Sequence, residues 1–347
     1  MRATIVVVSQ PRDAVADLRR IAFLLERAHE STYRVRAFRT AVAVLGRRDA
    51  DELARLARSG ELVGLKGVGA VTARCVAESL AGVEPAYLRR LEAAEPTTLD
   101  EFAQALRTAI RGDCHSHTDA SDGGSPLWEM VQTARELGHD YLVITDHSPS
   151  LTVANGLSAQ RLRAQIEQVA EVNIELRESF RVLTGIEVDI LDDGALDQDP
   201  DLLAGLDVVV ASVHSKLRMP RAQMTERMLT AVANPHVDVL GHCTGRRVTG
   251  DRRRPESEFD ADAVFAACAE YGVAVEVNSR PERLDPPKRL LRRAVEAGCS
   301  FTIDTDAHAP GQLDWLGAGC ERAAACGVPA GRVLNTWPLD QLLTWCH

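Results

Sequence analysis

Beyond residue 110, one apolar, β-branched run after another ends on a residue able to bind a metal ion. YLVIT leads into Asp146 and His147, VLTGIE ends on Glu187, DVVVASVH on His214, and VDVLGH on His242. CSFTIDTDAH carries Asp306 and His308 just past a fifth run. Ahead of them, RGDCHSHTDASDGG (111–124) places His115 and His117 one residue apart, so that on an extended strand end they point the same way. Asp122 follows in a Ser/Gly-rich turn that can fold back toward them. His-x-His is a common way to place two imidazoles on one ion, although alone it reads equally as two surface histidines. The repetition calls for strands whose C-terminal ends meet at one mouth, as in a barrel of parallel strands.

From Arg111 strands and helices alternate. Extended runs fall near 111–114, 141–145, 182–187, 207–213, 237–240, 273–277 and 299–303. Helical patterns follow at 126–138, 159–179, 222–233, 260–271, 287–297 and 317–326, with a short one near 200–204. Such alternation predicts a parallel α/β architecture, here an incomplete TIM-like barrel.

Before the barrel the pattern is helical. Residues 1–10 read as an N-terminal extension. From Pro11, Val15, Leu18, Ala22 and Leu25 recur at helical spacing. YRVRAFRTAVAVL forms a second helix with Arg34, Arg36 and Arg39 on it, either a positive face or an ordinary solvated one. GELVGLKGVGAVTARCVAESL then has the pattern of a helix-hairpin-helix. Gly67 and Gly69, beside Lys66, permit a tight positive-φ turn. Backbone N–H groups opening the next helix can bind a DNA phosphate without reading bases. The plainer alternative is a glycine turn between two packed helices.

Charge is uneven: residues 1–95 hold 16 Arg and Lys against 12 Asp and Glu, and the rest hold 24 against 38. A mildly basic head on an acidic body suits contact of the head with phosphate. No secretory signal is read at the start, and no apolar run approaches the ~20 residues that cross a bilayer. The eight cysteines form no CxxC pair, which fits reduced thiols in the cytoplasm and not a disulfide framework. Cys114 reads as a packing residue, and His29, His139, His236 and His347 as surface or structural histidines.

Residues 11–95 resemble the small N-terminal domain of family X DNA polymerases, through AFRTAV, the spacing to LKGVG, and VTARCVAESLAG. That likeness implies a helix-hairpin-helix domain gripping nucleic acid, with Lys66, Gly67 and Gly69 at the contact. The helix after the hairpin has no lysine, so lyase activity is not expected. Residues 83–110 read as a connector with one or two helices, its 96–110 part the linker between domains; about 30 residues are too few for a polymerase palm, so no polymerisation is expected. Residues 111–347 resemble the polymerase and histidinol phosphatase (PHP) domain, most closely that of bacterial family X polymerases. The motifs are DCHSHTDASDG, ITDHS, TGIEVDI, SVHSKL, LGHCTGR, VEVNSRPERLDPP, DTDAH and VLNTWP.

The resemblance implies a distorted (βα)7 barrel with three divalent metal ions at the strand ends. One ion would take His115, His117, Glu187 and Asp306, with Glu187 bridging to a second held by His214. A third would take Asp122, His147, His242 and His308. The mixed imidazole and carboxylate set suits Zn, Mn or Fe better than Mg or Ca. The implied activity is a metal-dependent phosphoesterase whose nucleophile is a metal-bound hydroxide, with no catalytic protein side chain. Asp146 is expected to orient His147, and Glu276 either to support the site or to pack the barrel. Lys216, Arg218, Arg246, Arg247, Arg280 and Arg283 are candidate phosphate clamps, Arg247 and Arg280 foremost, each also readable as a surface salt bridge. With the DNA-gripping head, the leading expectation is a 3′–5′ exonuclease or 3′-end processing enzyme of DNA repair. The alternative is a small-molecule phosphomonoesterase of histidinol-phosphatase type. A noncatalytic DNA-binding protein is a third reading, disfavoured by the full ligand set.

Overall fold

The structure, a computed structural model, describes residues 10, 12–94, 98–177, 179–250 and 253–346. Most of the expected extension 1–10, with Pro11, Pro96 and His347, lies outside the described residues. The chain divides into two units, 1–98 and 99–347.

The first unit is helical: α1 (Ala14–Arg27), α2 (Thr32–Leu45), α3 (Ala50–Ser59), a short 3-10 turn (Glu61–Gly64), α4 (Ala70–Leu80) and α5 (Ala86–Glu92). Asp13 caps α1 by accepting from Val15 and Ala16 N–H, and Gly60 ends α3 in the left-handed conformation. Leu18, Ile21, Leu25, Phe38, Val42, Leu45, Leu53 and Val76 form the core, each helix contributing one apolar stripe. The three arginines of α2 do not share one role. Arg39 forms a two-pronged pair with buried Glu26 at 2.7 Å, Arg34 pairs with Glu30 at 2.9 Å, and Arg36 is exposed. In the turn before α4, Gly67 has φ +97°, as expected, but Gly69 has an ordinary φ of −90°. Gly69 is instead tied to the helix start: its N–H donates to Thr72 Oγ1, whose hydroxyl donates back to Gly69 O.

The second unit runs α6 (Glu101–Ala109), β1 (Gly112–Asp113), α7 (Leu127–Glu136), β2 (Tyr141–Ile144), α8 (Ala159–Leu176), β3 (Arg181–Asp189), α9 (Pro200–Leu203), β4 (Val208–Ser212), α10 (Arg221–Val232), β5 (Val239–Leu240), α11 (Ala261–Tyr271), β6 (Ala274–Asn278), α12 (Lys288–Glu296), β7 (Phe301–Asp304), α13 (Leu316–Cys326) and α14 (Leu339–Cys346). The seven strands lie in chain order, each parallel to the next. The barrel is nearly closed: past β1 and β7, His117 N–H donates to Ala307 O at 2.8 Å. Lower on this seam Asn335 donates to Gly112 O and Ile303 O. Within the connector stands α6, which buries Ala103 and Leu106 in the core around the barrel. Their spacing of three, with Ile110 four further on, gives this helix its apolar stripe.

Strand alternation places the site. Tyr141, Val143, Leu183, Val208, Val210, Val239 and Ala274 cluster together with Leu334 and Leu342 from the C-terminal segment. The alternate strand residues, such as Ile186, Val209, Val275 and Ile303, pack with the helices. Further along the inward-facing rows, Glu187 follows Leu183 and Glu276 follows Ala274, so the same period of two that builds an apolar floor carries carboxylates to the mouth. No helix among the described residues is long and apolar enough to cross a membrane, and all eight cysteines are free.

Candidate metal centre

Glu187 is the hub. Its Oε1 faces His214 Nε2 at 3.2 Å and His242 Nε2 at 2.8 Å. Its Oε2 faces His115 Nε2 at 3.3 Å, His117 Nε2 at 3.5 Å and His147 Nδ1 at 2.9 Å. Asp306 Oδ1 lies 3.4 Å from His117 Nε2. Asp122 Oδ1 lies 3.5 Å from His147 Nε2 and 3.3 Å from His308 Nε2. All nine sequence-predicted ligand residues therefore fall in one connected cluster at the strand ends. Three subsets have donor atoms within 4.8 Å of one another: His117, Asp122, His147 and His308; His115, His117 and Asp306; and His147, Glu187 and His214.

The grouping corrects one expectation. His242 does not join Asp122, His147 and His308; it stands against Glu187 beside His214, ring centres 5.3 Å apart. Barrel order explains this, since β5 neighbours β4 and lies away from the β1–β2–β7 side that carries the other three.

The donors suit cations. His115 Nε2, His117 Nε2, His242 Nε2, His214 Nε2 and both Glu187 oxygens are buried without a hydrogen bond. Native interiors rarely leave so many polar atoms unsatisfied, and a set of imidazole nitrogens around a carboxylate is satisfied by divalent ions. Charge is finely divided. Burial opposes ionisation of Glu187, yet His214, His115 and His147 hold it well below the ordinary carboxylate range. Burial likewise opposes ionisation of Asp306, but Arg280 and Arg283 hold it low. Burial, with His308 and His147 nearby, keeps His117 neutral, and burial with Arg283 does the same for His242. Burial works against protonation of His214 too, but Glu187 and Asp189 push it up to about 9. Asp306 sits at φ +53°, an unusual backbone for a non-glycine residue, within a tightly bonded site.

Residues around the ligands fix their orientation. Glu276 Oε1 bonds His115 Nδ1 at 2.7 Å and its Oε2 accepts from His242 N–H at 2.5 Å. Glu276 thus belongs to the site, and its mid-strand position in AVEVN, at inward parity, was the signal for it. Asp189 lies 3.5 Å from His214 Nδ1, a partner the sequence reading missed. Asp146 does not orient His147. It accepts from Thr118 N–H at 2.9 Å, Thr118 Oγ1 at 2.6 Å, Ser121 Oγ and Gln165 Nε2, and so holds the loop that carries Asp122.

The candidate phosphate clamps separate by contact. Arg280 donates to Asp306 O at 2.7 Å and lies 2.9 Å from His308 Nδ1, and Arg283 Nε meets Asp306 Oδ2 at 3.0 Å. Arg247 is more open, 3.8 Å from Glu282. Arg246 is spent on the backbone at Arg283 O and Leu284 O. Lys216 pairs with Asp192 at the surface, and Arg218 is exposed. In the first unit Lys66, Gly67 and Gly69 are exposed together.

A sequence model of the PHP domain matches residues 113–280. The DNA polymerase/3′-5′ exonuclease PolX of Bacillus subtilis is 41% identical over 233 residues, 67% of this chain and 40% of PolX. A protein named probable phosphatase from Thermoanaerobacter sp. is 28% identical over 236 residues, 65% of this chain and 89% of its own length. The solved histidinol phosphate phosphatase of Lactococcus lactis gives a TM-score of 0.46 at 19% identity, covering 64% of this chain and 94% of that one, a likeness too loose to build on. The chain thus spans less than half of PolX and most of the phosphatase. Joined to the seven-stranded barrel and its ligand-bearing mouth, the match identifies a PHP domain in this chain over residues 113–280.

Proposed function

We propose that the chain is a metal-dependent phosphoesterase acting on nucleic acid ends, as a 3′–5′ exonuclease or 3′-end processing enzyme. The observation that carries the hydrolytic reading is Glu187, buried with both oxygens open to five imidazoles. Bound divalent ions, up to three, would offset charge on phosphate oxygens and lower the pKa of a water. The chain's own residues do the positioning. Glu276 accepts a hydrogen bond from His115 Nδ1–H and so leaves Nε2 free to ligate. Asp146 holds the Asp122 loop. Arg280, bonded beside Asp306 and His308, and the more open Arg247 are the guanidinium groups that would orient a phosphate. No side chain is needed as nucleophile: burial pushes the Cys114 thiol well above its ordinary range, so it stays protonated.

The nucleic-acid part of the reading is supported by the exposed Lys66–Gly67 turn and by the 41% identity to PolX. Polymerisation is not part of the proposal, because Leu99 opens the second unit directly after Thr98 closes the first. A second reading, a phosphatase of small monoesters, draws on the phosphatase relative matched over 89% of its length.

The test is Mn-supplemented hydrolysis of 5′-labelled DNA, run beside a panel of phosphomonoesters that includes histidinol phosphate and nucleotides. His117→Ala is the control for contaminating nuclease. Stepwise shortening that vanishes in the variant supports the nuclease. Phosphate release from small esters alone overturns it in favour of the monoesterase.

A further inference from the structure

The loop after β5 and the first turns of α10, α11 and α12 enclose a groove of about 660 Å³. In such a barrel these helix starts lie at the same end as the strand C-termini, so the groove belongs to the mouth face. Arg221 opens α10, Ala261 opens α11, and Arg289 is in the first turn of α12; all three line it. The starts of α10 and α12 have no side-chain cap, Asp260 caps α11 by accepting from Ala263 N–H, and each start carries a partial positive charge. Arg246, Arg254 and Arg293 complete five arginines in the lining, against Glu256 and Glu258. With Asp260 and Asp262 beside the lining, five arginines meet four carboxylates, in a body where acidic residues outnumber basic ones by 38 to 24 beyond residue 95.

The guanidinium groups are held in place. Arg221 pairs with Asp260 at 3.1 Å, Arg293 with Asp262 at 2.8 Å, and Arg289 with Glu256. Arg254 donates to Gly245 O at 2.7 Å and has no carboxylate partner among the described residues. Its remaining N–H groups are available to an anion. Val248, Phe259 and Leu290 add apolar lining suited to a sugar or base face. Hydrogen bonds tie the groove lining to residues beside the metal centre. Arg254 and Arg247 exchange backbone hydrogen bonds at 2.9 and 3.0 Å. Arg246 donates to Arg283 O, and Arg283 pairs with Asp306.

We infer that this groove binds the phosphodiester backbone of a single nucleic-acid strand whose terminal ester lies at the Glu187 centre. The inference rests on the phosphoesterase reading of that centre and deepens it: the substrate is a polymer, and a monoester does not reach the groove.

The experiment measures binding of a cleavage-resistant, phosphorothioate-linked oligothymidylate by the full chain across a salt series. Wild type is compared with the variant R221A/R254A/R289A. Three lost phosphate contacts reduce the slope of log K against log salt by about 2, at roughly 0.7 per contact on a single strand. Mn-dependent hydrolysis of p-nitrophenyl phosphate stays at the wild-type level, and R221K/R254K/R289K keeps the wild-type slope. Should the alanine variant misfold, Arg221→Glu serves instead, its side chain being 60% exposed, and it weakens binding at low salt. A wild-type slope and affinity in the alanine variant or in Arg221→Glu overturns the groove and leaves the phosphoesterase standing. Absence of Mn-dependent hydrolysis of any ester by the wild type overturns the phosphoesterase reading instead.

Discussion

Glu187 and Glu276 divide the work of a buried carboxylate. Glu187 has two unsatisfied oxygens facing imidazoles, which is the signature of a ligand. Glu276 is bonded to His115 and to the His242 backbone, which is the signature of a positioning residue. Glu276→Gln keeps the shape and removes the charge that favours the correct His115 tautomer. It is expected to weaken metal binding roughly 10–100-fold in a chelator competition, with the fold unchanged; unaltered affinity would return Glu276 to simple packing. At this scale the ligand types were legible, because His, Asp and Glu ending apolar strands have few other uses. Partnerships were not. Asp146 precedes His147 in sequence, yet neighbours on an extended segment point opposite ways, and Asp146 turns to Thr118 and Ser121. The resemblance grouped His242 with Asp122, His147 and His308, whereas the fold sets it beside Glu187 and His214.

The elements carry two predictions. Gly67, at φ +97°, would set a Cβ 2.7 Å from Thr40 Cγ2, whereas Gly69 at φ −90° has open space around it. Gly67→Ala should therefore cost the first unit about 1–2 kcal/mol or more in thermal unfolding, and Gly69→Ala little. Equal effects would contradict this account of the turn. In the second unit His139, just past α7, is buried with both ring nitrogens unpaired. Burial, helped by Arg107, lowers its pKa to about 4. Above pH 7 it is neutral whether folded or unfolded and contributes nothing. As pH falls from about 6.5 toward 4, the unfolded chain takes up a proton that the folded chain refuses, and stability drops, by about 3 kcal/mol in full. His139→Phe should remove that loss and move acid unfolding of the barrel to lower pH; an unchanged acid transition would contradict it. Strand and helix positions were readable because parallel strands buried on both faces give continuous apolar runs. A helix within the connector was readable, but the short stripe of Ala103, Leu106 and Ile110 gives no sign of what α6 packs against.

For the whole molecule, a helical unit with an exposed glycine turn precedes a barrel whose mouth gathers nine candidate ligands and an arginine-lined groove. The acidic balance of the second unit becomes intelligible at this scale. Part of it is the ligand set itself, which bound cations would offset, and five of the basic residues line the groove where a phosphate chain would lie. Of the groove only Arg246 was singled out in the sequence, since its arginines come from α10, α12 and the loop after β5, which only the fold brings together. The central claim is that Glu187 organises a cluster of divalent ions. The most direct measurement is the number of Zn, Mn or Fe ions bound per chain by wild type and by Glu187→Gln, after equilibration with each metal and removal of the excess. The account predicts up to three ions in the wild type and the loss of at least two in the variant. A wild type that binds none, or a variant that binds as many as the wild type, would contradict it.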